Sequence, residues 1–320
     1  MFNHMLVPMD GSRLAERVLP HVVATARACD ARVTVLQVCE PRRGGETVRS
    51  IDALRWHLRT AEADTYLKQV VARLRKAGIK AQPQRLEGRA AEQITAYAHQ
   101  NAVDLIILSS HGRSGLTGWN VSSVVQKVLA DTLISIMIVR AHQTPSDPLE
   151  LTYSRILCPL DCSQRAEHAL PAAARLAKAY SAHLTLAHVV AKPEMARRRP
   201  LSEEEHDLID KVTELNRQEA VRCLEEARSS LRLEQLDVQV EVTVSDNAAE
   251  ALHELVGRQA TDLVILSAHG LSGSRRRHYG GMTLNFIAYG TPPLLIVQDL
   301  SPDQLEQTKP EVIARESGVR

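Results

Sequence analysis

Two short stretches of this chain bring small and hydroxyl-bearing residues together at one spacing. Ser109-x2-Gly112 is followed, nine residues on, by Ser122-Ser123, and Ser267-x2-Gly270 is followed at the same interval by Gly280-Gly281. Each stretch leaves an apolar run headed by aspartate, Asp104 to Leu108 and Asp262 to Leu266, and each places a histidine, His111 or His269, before its glycine. Small residues let a backbone turn tightly and approach a ligand closely. Where such a loop feeds a helix, the unsatisfied N–H groups of the first turn favour an anion. The chemistry on offer is the holding of a phosphate.

A second pair of motifs, Pro8-x-Asp10 and Pro159-x-Asp161, ends an apolar run near the start of each half. A carboxylate there can accept a hydrogen bond from a ribose hydroxyl or an adenine amino group, or it can cap the helix that follows. The residues leave both open. His111 and His269 either approach a phosphate or pack against the turn. Arg275-Arg276-Arg277-His278, inside the second nine-residue loop, either neutralises a polyanion or meets solvent, and Arg197-Arg198-Arg199 reads as solvent-facing. Catalytic patterns are absent from the sequence: there is no Gly-x4-Gly-Lys-Ser/Thr and no Gly-x-Gly-x-x-Gly after the first strand. Gly112-Arg113-Ser114-Gly115 lacks the spacing of a nucleophile elbow. Binding rather than catalysis is expected, with any hydrolysis of a bound ligand slow and incidental.

The elements that must position these residues occur twice. Met5 to Ser12 matches Ile156 to Ser163 at an offset of 151, and Ala90-Ala91-Glu92 matches Ala248-Ala249-Glu250 at 158, so the second copy holds seven extra residues. Each copy alternates five strands with four helices, which implies a parallel sheet covered on both faces. In the first copy the strands are read at Met5 to Pro8, Arg32 to Val38, Lys80 to Leu86, Asp104 to Leu108 and Ile134 to Val139, with Pro83 arguing for an edge position of the third. The long helix carries Leu54, Leu58, Leu67, Val70, Val71 and Leu74 at helical spacing, and its counterpart carries Leu208, Ile209, Val212, Leu215, Leu224 and Leu231. Ser202-x-x-Glu205 and Ser123-x-x-Gln126 have capping-box spacing. The third and fifth strands of the second copy are read at Val238 to Val244 and Leu294 to Val297. Domains are expected at 1–140 and 154–300, with a linker at 141–153 and a polar tail at 301–320.

Composition closes off other classes. The net charge of +1 gives no long-range pull on nucleic acid or membrane, and 3% aromatic content leaves no stacking platform for single strands. No apolar run approaches the roughly 20 residues that span a bilayer. The five cysteines, Cys29, Cys39, Cys158, Cys162 and Cys223, fit no paired zinc spacing and read as buried thiols in a reducing compartment. A soluble, cytoplasmic protein is expected.

The glycine loops, twice in register and each preceded by Pro-x-Asp, resemble the universal stress protein family in a tandem arrangement. The resemblance implies two Rossmann-like domains of the adenine nucleotide alpha hydrolase-like kind, each a five-stranded parallel sheet. The nucleotide-binding branch of that family carries Gly-x2-Gly-x9-Gly-Ser/Thr. Both copies here begin it with serine; the first has Ser122 in place of the later glycine, and the second has Gly281 in place of the hydroxyl residue. By resemblance, adenine and ribose fall to Asp10 and backbone groups near Val38, and in the second copy to Asp161 and backbone groups near Val189, with Pro8, Leu108, Pro159 and Leu266 as further candidate nucleotide-binding residues. Phosphates fall to the signature positions Ser109, Gly112, Ser122 and Ser123, and Ser267, Gly270, Gly280 and Gly281, with His111 and His269 beside them as candidate nucleotide-binding residues. The implied ligand is ATP or AMP, with magnesium accompanying ATP and no intrinsic metal. A stress sensor or regulator is expected, with a nucleotide-free interaction module as the alternative. Strand five of each copy is expected to pair with the other in an intramolecular pseudo-dimer, which a further homodimer could extend.

Overall fold

The structure is a computed structural model and describes residues 2–41, 50–112, 121–140, 149–193, 202–230, 236–271 and 278–299. Arg113 to Gly115, Arg197 to Arg199, Leu231, Arg275 to Arg277, residues 141–148 of the expected linker and the tail from 301 lie outside these. The chain divides into two compact units, built mainly from Met1–Thr152 and mainly from Tyr153–Phe286.

The first unit runs β1 (His4–Met9), a 3₁₀ turn (Ala15–Val18), α1 (Leu19–Cys29), β2 (Arg32–Cys39), α2 (Ser50–Lys76), β3 (Ala81–Glu87), α3 (Ala90–Gln100), β4 (Leu105–Ser109), α4 (Ser123–Asp131) and β5 (Ser135–Val139). Its strands are all parallel in the order 3-2-1-4-5. β1 sits at the centre, between β2 and β4, because Met5, Leu6 and Val7 are apolar in succession and can be covered on both sides. Pro83 lies in β3, which pairs with β2 at the edge, where its missing N–H removes no ladder bond to a second neighbour.

The second unit repeats this as β6 (Arg155–Pro159), a 3₁₀ turn (Ala166–Ala169), α5 (Leu170–Tyr180), β7 (His183–Val190), α6 (Glu203–Ser230), β8 (Val238–Val244), α7 (Ala248–Arg258), β9 (Leu263–Ser267), α8 (Gly281–Tyr289) and β10 (Leu294–Val297). The strand order is again 3-2-1-4-5, all parallel. The strand order reverses direction beside the first strand of each unit. That is where an open α/β sheet leaves a crevice at its carboxyl ends.

Three expectations need correction. The apolar stripe of the long helices is half core and half surface. Leu67, Val70, Val71 and Leu74 are buried, whereas Leu54, Leu58, Leu208 and Leu215 are exposed, since helices of 27 and 28 residues outrun the strands they cover. The cap of α4 is Ser122, whose hydroxyl accepts from the Val125 N–H at 3.4 Å, while Gln126 reaches the Val121 carbonyl at 3.0 Å. The capping box does form at α6, where Ser202 and Glu205 bond reciprocally at 2.9 and 3.3 Å. Finally, Cys162 and Cys223 are joined in a disulfide, their Cα atoms 6.1 Å apart. Folding brings β6's end loop onto α6, a proximity that residue spacing cannot reveal. Cys29, Cys39 and Cys158 are buried free thiols as expected.

Candidate functional site

Both crevices are hollow. In the first unit a cavity of about 530 Å³ opens at the carboxyl ends of β1, β2 and β4. Pro8, Asp10, Val38, Leu108, Ser109, His111, Gly112, Ser122 and Ser123 all line it. In the second a cavity of about 260 Å³ is lined by Pro159, Asp161, Val189, Leu266, Ser267, His269, Gly270, Gly280 and Gly281. Residues far apart in the chain thus meet at each sheet end, because parallel strands deliver all their C-termini to one side.

The aspartates brace the loops. Asp10 Oδ1 accepts from the Ser12 N–H at 2.9 Å, and its Oδ2 lies so close to Gly112 that a Cβ there would sit 2.1 Å away. Asp161 Oδ1 accepts from the Ser163 N–H and hydroxyl at 3.1 and 2.6 Å, and Oδ2 accepts from the Leu271 N–H at 2.5 Å. A Cβ on Gly270 would sit 2.0 Å from Asp161 Oδ2. The glycine of Ser-x2-Gly is therefore required by a carboxylate rather than by a backbone angle. Each carboxylate lines its cavity, and Asp161 accepts three hydrogen bonds among the described residues.

The loops return to the sheet identically. Ser122 N–H donates to the Ser110 carbonyl and Gly280 N–H to the Ala268 carbonyl, each at 2.8 Å. These groups are consumed by the fold, so an anion at the helix start is left the N–H groups that follow, of Ser123 and Val124 or of Gly281 and Met282. Ser109 hydroxyl donates to the Leu14 carbonyl at 3.1 Å, and Ser267 hydroxyl to the His269 carbonyl. The serines that replace the first glycine thus tie the turn down.

The two loop histidines differ. His269 is buried with Nδ1 2.8 Å from Asp299 Oδ1, and Asp299 also accepts from Arg165. Burial raises the Asp299 carboxyl, but its bonds to His269 and Arg165 outweigh this and hold it below the usual carboxylate range. His269 is a packed structural ring. His111 is equally buried, yet it has Ser110 hydroxyl at 3.1 Å from Nδ1 and no partner for Nε2 among the described residues, while lining the larger cavity.

Sequence reasoning missed the wall that α2 supplies. Arg59, Glu62 and Tyr66 line the first cavity, with Glu40 at the end of β2. Burial pushes the Tyr66 phenol up, and the Glu16 and Asp10 carboxylates add to the shift. Helical periodicity reports which residues face the core but not that one turn overhangs a crevice. His188, in the smaller cavity, was likewise passed over beside Val189.

The family model for the universal stress protein family matches residues 1–140 and again 152–298. The chain belongs to the universal stress protein family. Universal stress proteins of Methanocaldococcus jannaschii and Bacillus subtilis are 25% and 29% identical over 142 and 151 residues. Those matches cover 44% of this chain in each case, and 83% and 100% of the relative. Over the full length the fold matches a universal stress protein of Archaeoglobus fulgidus with a TM-score of 0.65 at 18% identity, covering 94% of this chain and 100% of that one. It also matches a functionally unknown protein of Pseudomonas aeruginosa with a TM-score of 0.60 at 13% identity, covering 98% of each. The tandem universal stress protein architecture and its Rossmann-like sheets follow. No helix among the described residues is long and apolar enough to cross a membrane, and none of their acidic, histidine and cysteine side chains cluster as a metal site.

Proposed function

We propose that the first domain binds an adenine nucleotide, ATP or AMP, and that the chain acts as a stress-response sensor or regulator in the cytoplasm. The observation that carries this is the cavity of about 530 Å³, which falls within the roughly 300–1,000 Å³ that small-molecule sites occupy. The second cavity, at about 260 Å³, falls below that range. In this reading Val38 and Asp10 meet the base and ribose, and the start of α4 with the Ser123 hydroxyl meets the phosphates. His111 Nε2 supplies a buried polar group that no described protein atom satisfies. Magnesium would accompany ATP, and the protein acts by binding, without turnover.

Thermal shift and calorimetry with AMP and with ATP, with and without magnesium, test the reading, because a ligand of the native state raises the melting temperature. One nucleotide per chain is expected, abolished or weakened at least tenfold by Asp10→Ala and little changed by Asp161→Ala. No shift with any nucleotide at millimolar concentration defeats it. With the Cys162–Cys223 bond closed, the smaller second cavity supports a nucleotide-free role for that half, as an interaction module for a protein partner. We also propose the intramolecular pairing of β5 with β10, which rests on the duplication and the short linker. Cysteine crosslinks placed along those two strands should form within one chain, and their failure would remove that proposal.

A further inference from the structure

The second domain holds a feature that the first replaces with something else. Cys162 follows Asp161 directly and adopts a left-handed backbone with φ +62°, where its counterpart Gly11 has φ +78°. That region favours glycine, so a side chain has been placed where the backbone resists one. The partner, Cys223, lies on α6. Ala220, Leu224 and Ala227 of that helix are buried at the spacing of Ala63, Leu67 and Val70 of α2, which sets Cys223 opposite Tyr66. Gly11 and Tyr66 both line the first cavity. In the second domain the disulfide spans that position, no described residue of α6 lines the cavity, and the volume is half as large.

The surroundings suit exchange rather than permanence. Cys162 is exposed and Cys223 half-buried, whereas the three free cysteines are buried and burial pushes Cys158 up to about 12. His188, which lines the cavity, directs Nδ1 at the Leu160 carbonyl at 2.7 Å and at Cys162 Sγ at 4.0 Å. A carbonyl only accepts, so Nδ1 carries the proton and can also meet a thiolate on Cys162.

We propose that Cys162–Cys223 is a reversible thiol–disulfide site that controls access to the second cavity, reacting with dithiol reductants and disulfide oxidants. One thiolate of a dithiol attacks the exposed Cys162 sulfur. A mixed disulfide forms, and the Cys162–Cys223 bond breaks to release Cys223 as a thiolate that takes a proton from solvent. The second thiolate of the dithiol then displaces Cys162 as a thiolate facing His188, and the reductant leaves as its disulfide. Two electrons and one proton pass to the protein while the dithiol's other proton stays in solvent, and a disulfide oxidant reverses both steps. With the bond open, α6 is free to part from the β6 loop, and its turn at Cys223 can line the cavity as the Tyr66 turn of α2 lines the first. A cystine in a chain otherwise furnished with buried free thiols is the pattern expected of a redox-responsive pair.

The test uses the full chain, air-oxidised and then treated with dithiothreitol under native conditions. Maleimide labelling in denaturant should rise from the three free cysteines to all five. Hydrogen exchange around Cys162, His188, Ser267 and the α6 turn holding Cys223 should quicken roughly tenfold on reduction, with the first domain and the remaining strands of the second unchanged. Cys162→Gly with Cys223→Tyr, which installs the first domain's pair, should exchange like the reduced protein in either condition. Cys223→Ser should do the same and serves if the tyrosine does not fit. The proposal fails if the oxidised chain already labels at five thiols, if dithiothreitol leaves the bond intact, or if exchange at the rim is unchanged on reduction. It also fails if the whole second domain unfolds, which would make the bond a structural staple. An arm with AMP rests on the nucleotide reading: stoichiometry should rise from one to two per chain on reduction. AMP binding to neither state sinks that reading alone, since the labelling and exchange results decide the redox site by themselves.

Discussion

Gly112→Ala is the perturbation that most directly tests how the first site is built. The new methyl would meet Asp10 Oδ2 at 2.1 Å and Asp10 Cγ at 3.1 Å, far inside contact distance, so the carboxylate must swing away. Swinging it disrupts the bond that Oδ1 takes from the Ser12 N–H. A hydrogen bond to a charged group contributes about 1.5–3 kcal/mol, so a loss of about 2 kcal/mol is expected. Both tryptophans, Trp56 and Trp119, lie in the first half of the chain, so tryptophan fluorescence in urea follows that domain. In an Asp10→Ala background the clash partner is gone, and the same glycine substitution should then cost below about 0.5 kcal/mol. The double-mutant cycle therefore predicts a coupling of about 1.5–2 kcal/mol. Additive effects of the two substitutions would refute the claim that the carboxylate demands the glycine. As a contrast, Gly281→Ala meets nothing within 4 Å and sits at the start of α8, so it should be neutral or slightly stabilising.

His21, buried on α1, is depressed by burial to about 4 from 6.5. Its unfolded form gains a proton as pH falls below 6.5 and its folded form does not until about 4, so stability is complete above that window and lost through it. The loss reaches about 3 kcal/mol, and His21→Asn should flatten that part of the urea-derived pH profile; an unchanged slope contradicts the assignment. Leu67→Ala should destabilise by about 2–5 kcal/mol, whereas Leu58→Ala, at a side chain 55% exposed, should stay within about 0.5 kcal/mol. Equal effects in urea would show that the whole stripe of α2 is core. Ala260 follows α7 in a left-handed conformation with φ +47°, so Ala260→Gly should raise the melting point, by about 0.5–1 kcal/mol of stability. A lower melting temperature would count against that backbone geometry.

Much of the fold was legible because duplication and periodicity are local properties. Residues such as Leu105 to Leu108 are apolar without alternation, and only a strand covered on both faces has that need. The third strand of the second copy and its fifth were located to the residue, since Pro292-Pro293 and the alternating valines leave little freedom. The cap of α4 was misplaced by one residue, because two adjacent serines offer the same side chain and only backbone geometry selects Ser122. Exposure of Leu54 and Leu58 escaped for another reason: helical spacing marks a face but not how far the neighbouring sheet extends beneath it.

Sequence by itself determined that there are two copies, that each is a parallel α/β sheet, and which loops crowd its carboxyl end. Those follow from residue order, because strand and helix periods are written along the chain. Only tertiary structure decided that the two crevices are unlike. Tyr66 overhangs one from a helix far along the chain from Asp10, while Cys223 closes on Cys162 in the other. His111 and His269 share a motif yet differ in partners, since Asp299 reaches one ring from the far end of its own domain. Residues distant in the chain set the size and charge of each hollow, and no local pattern records which of them will meet.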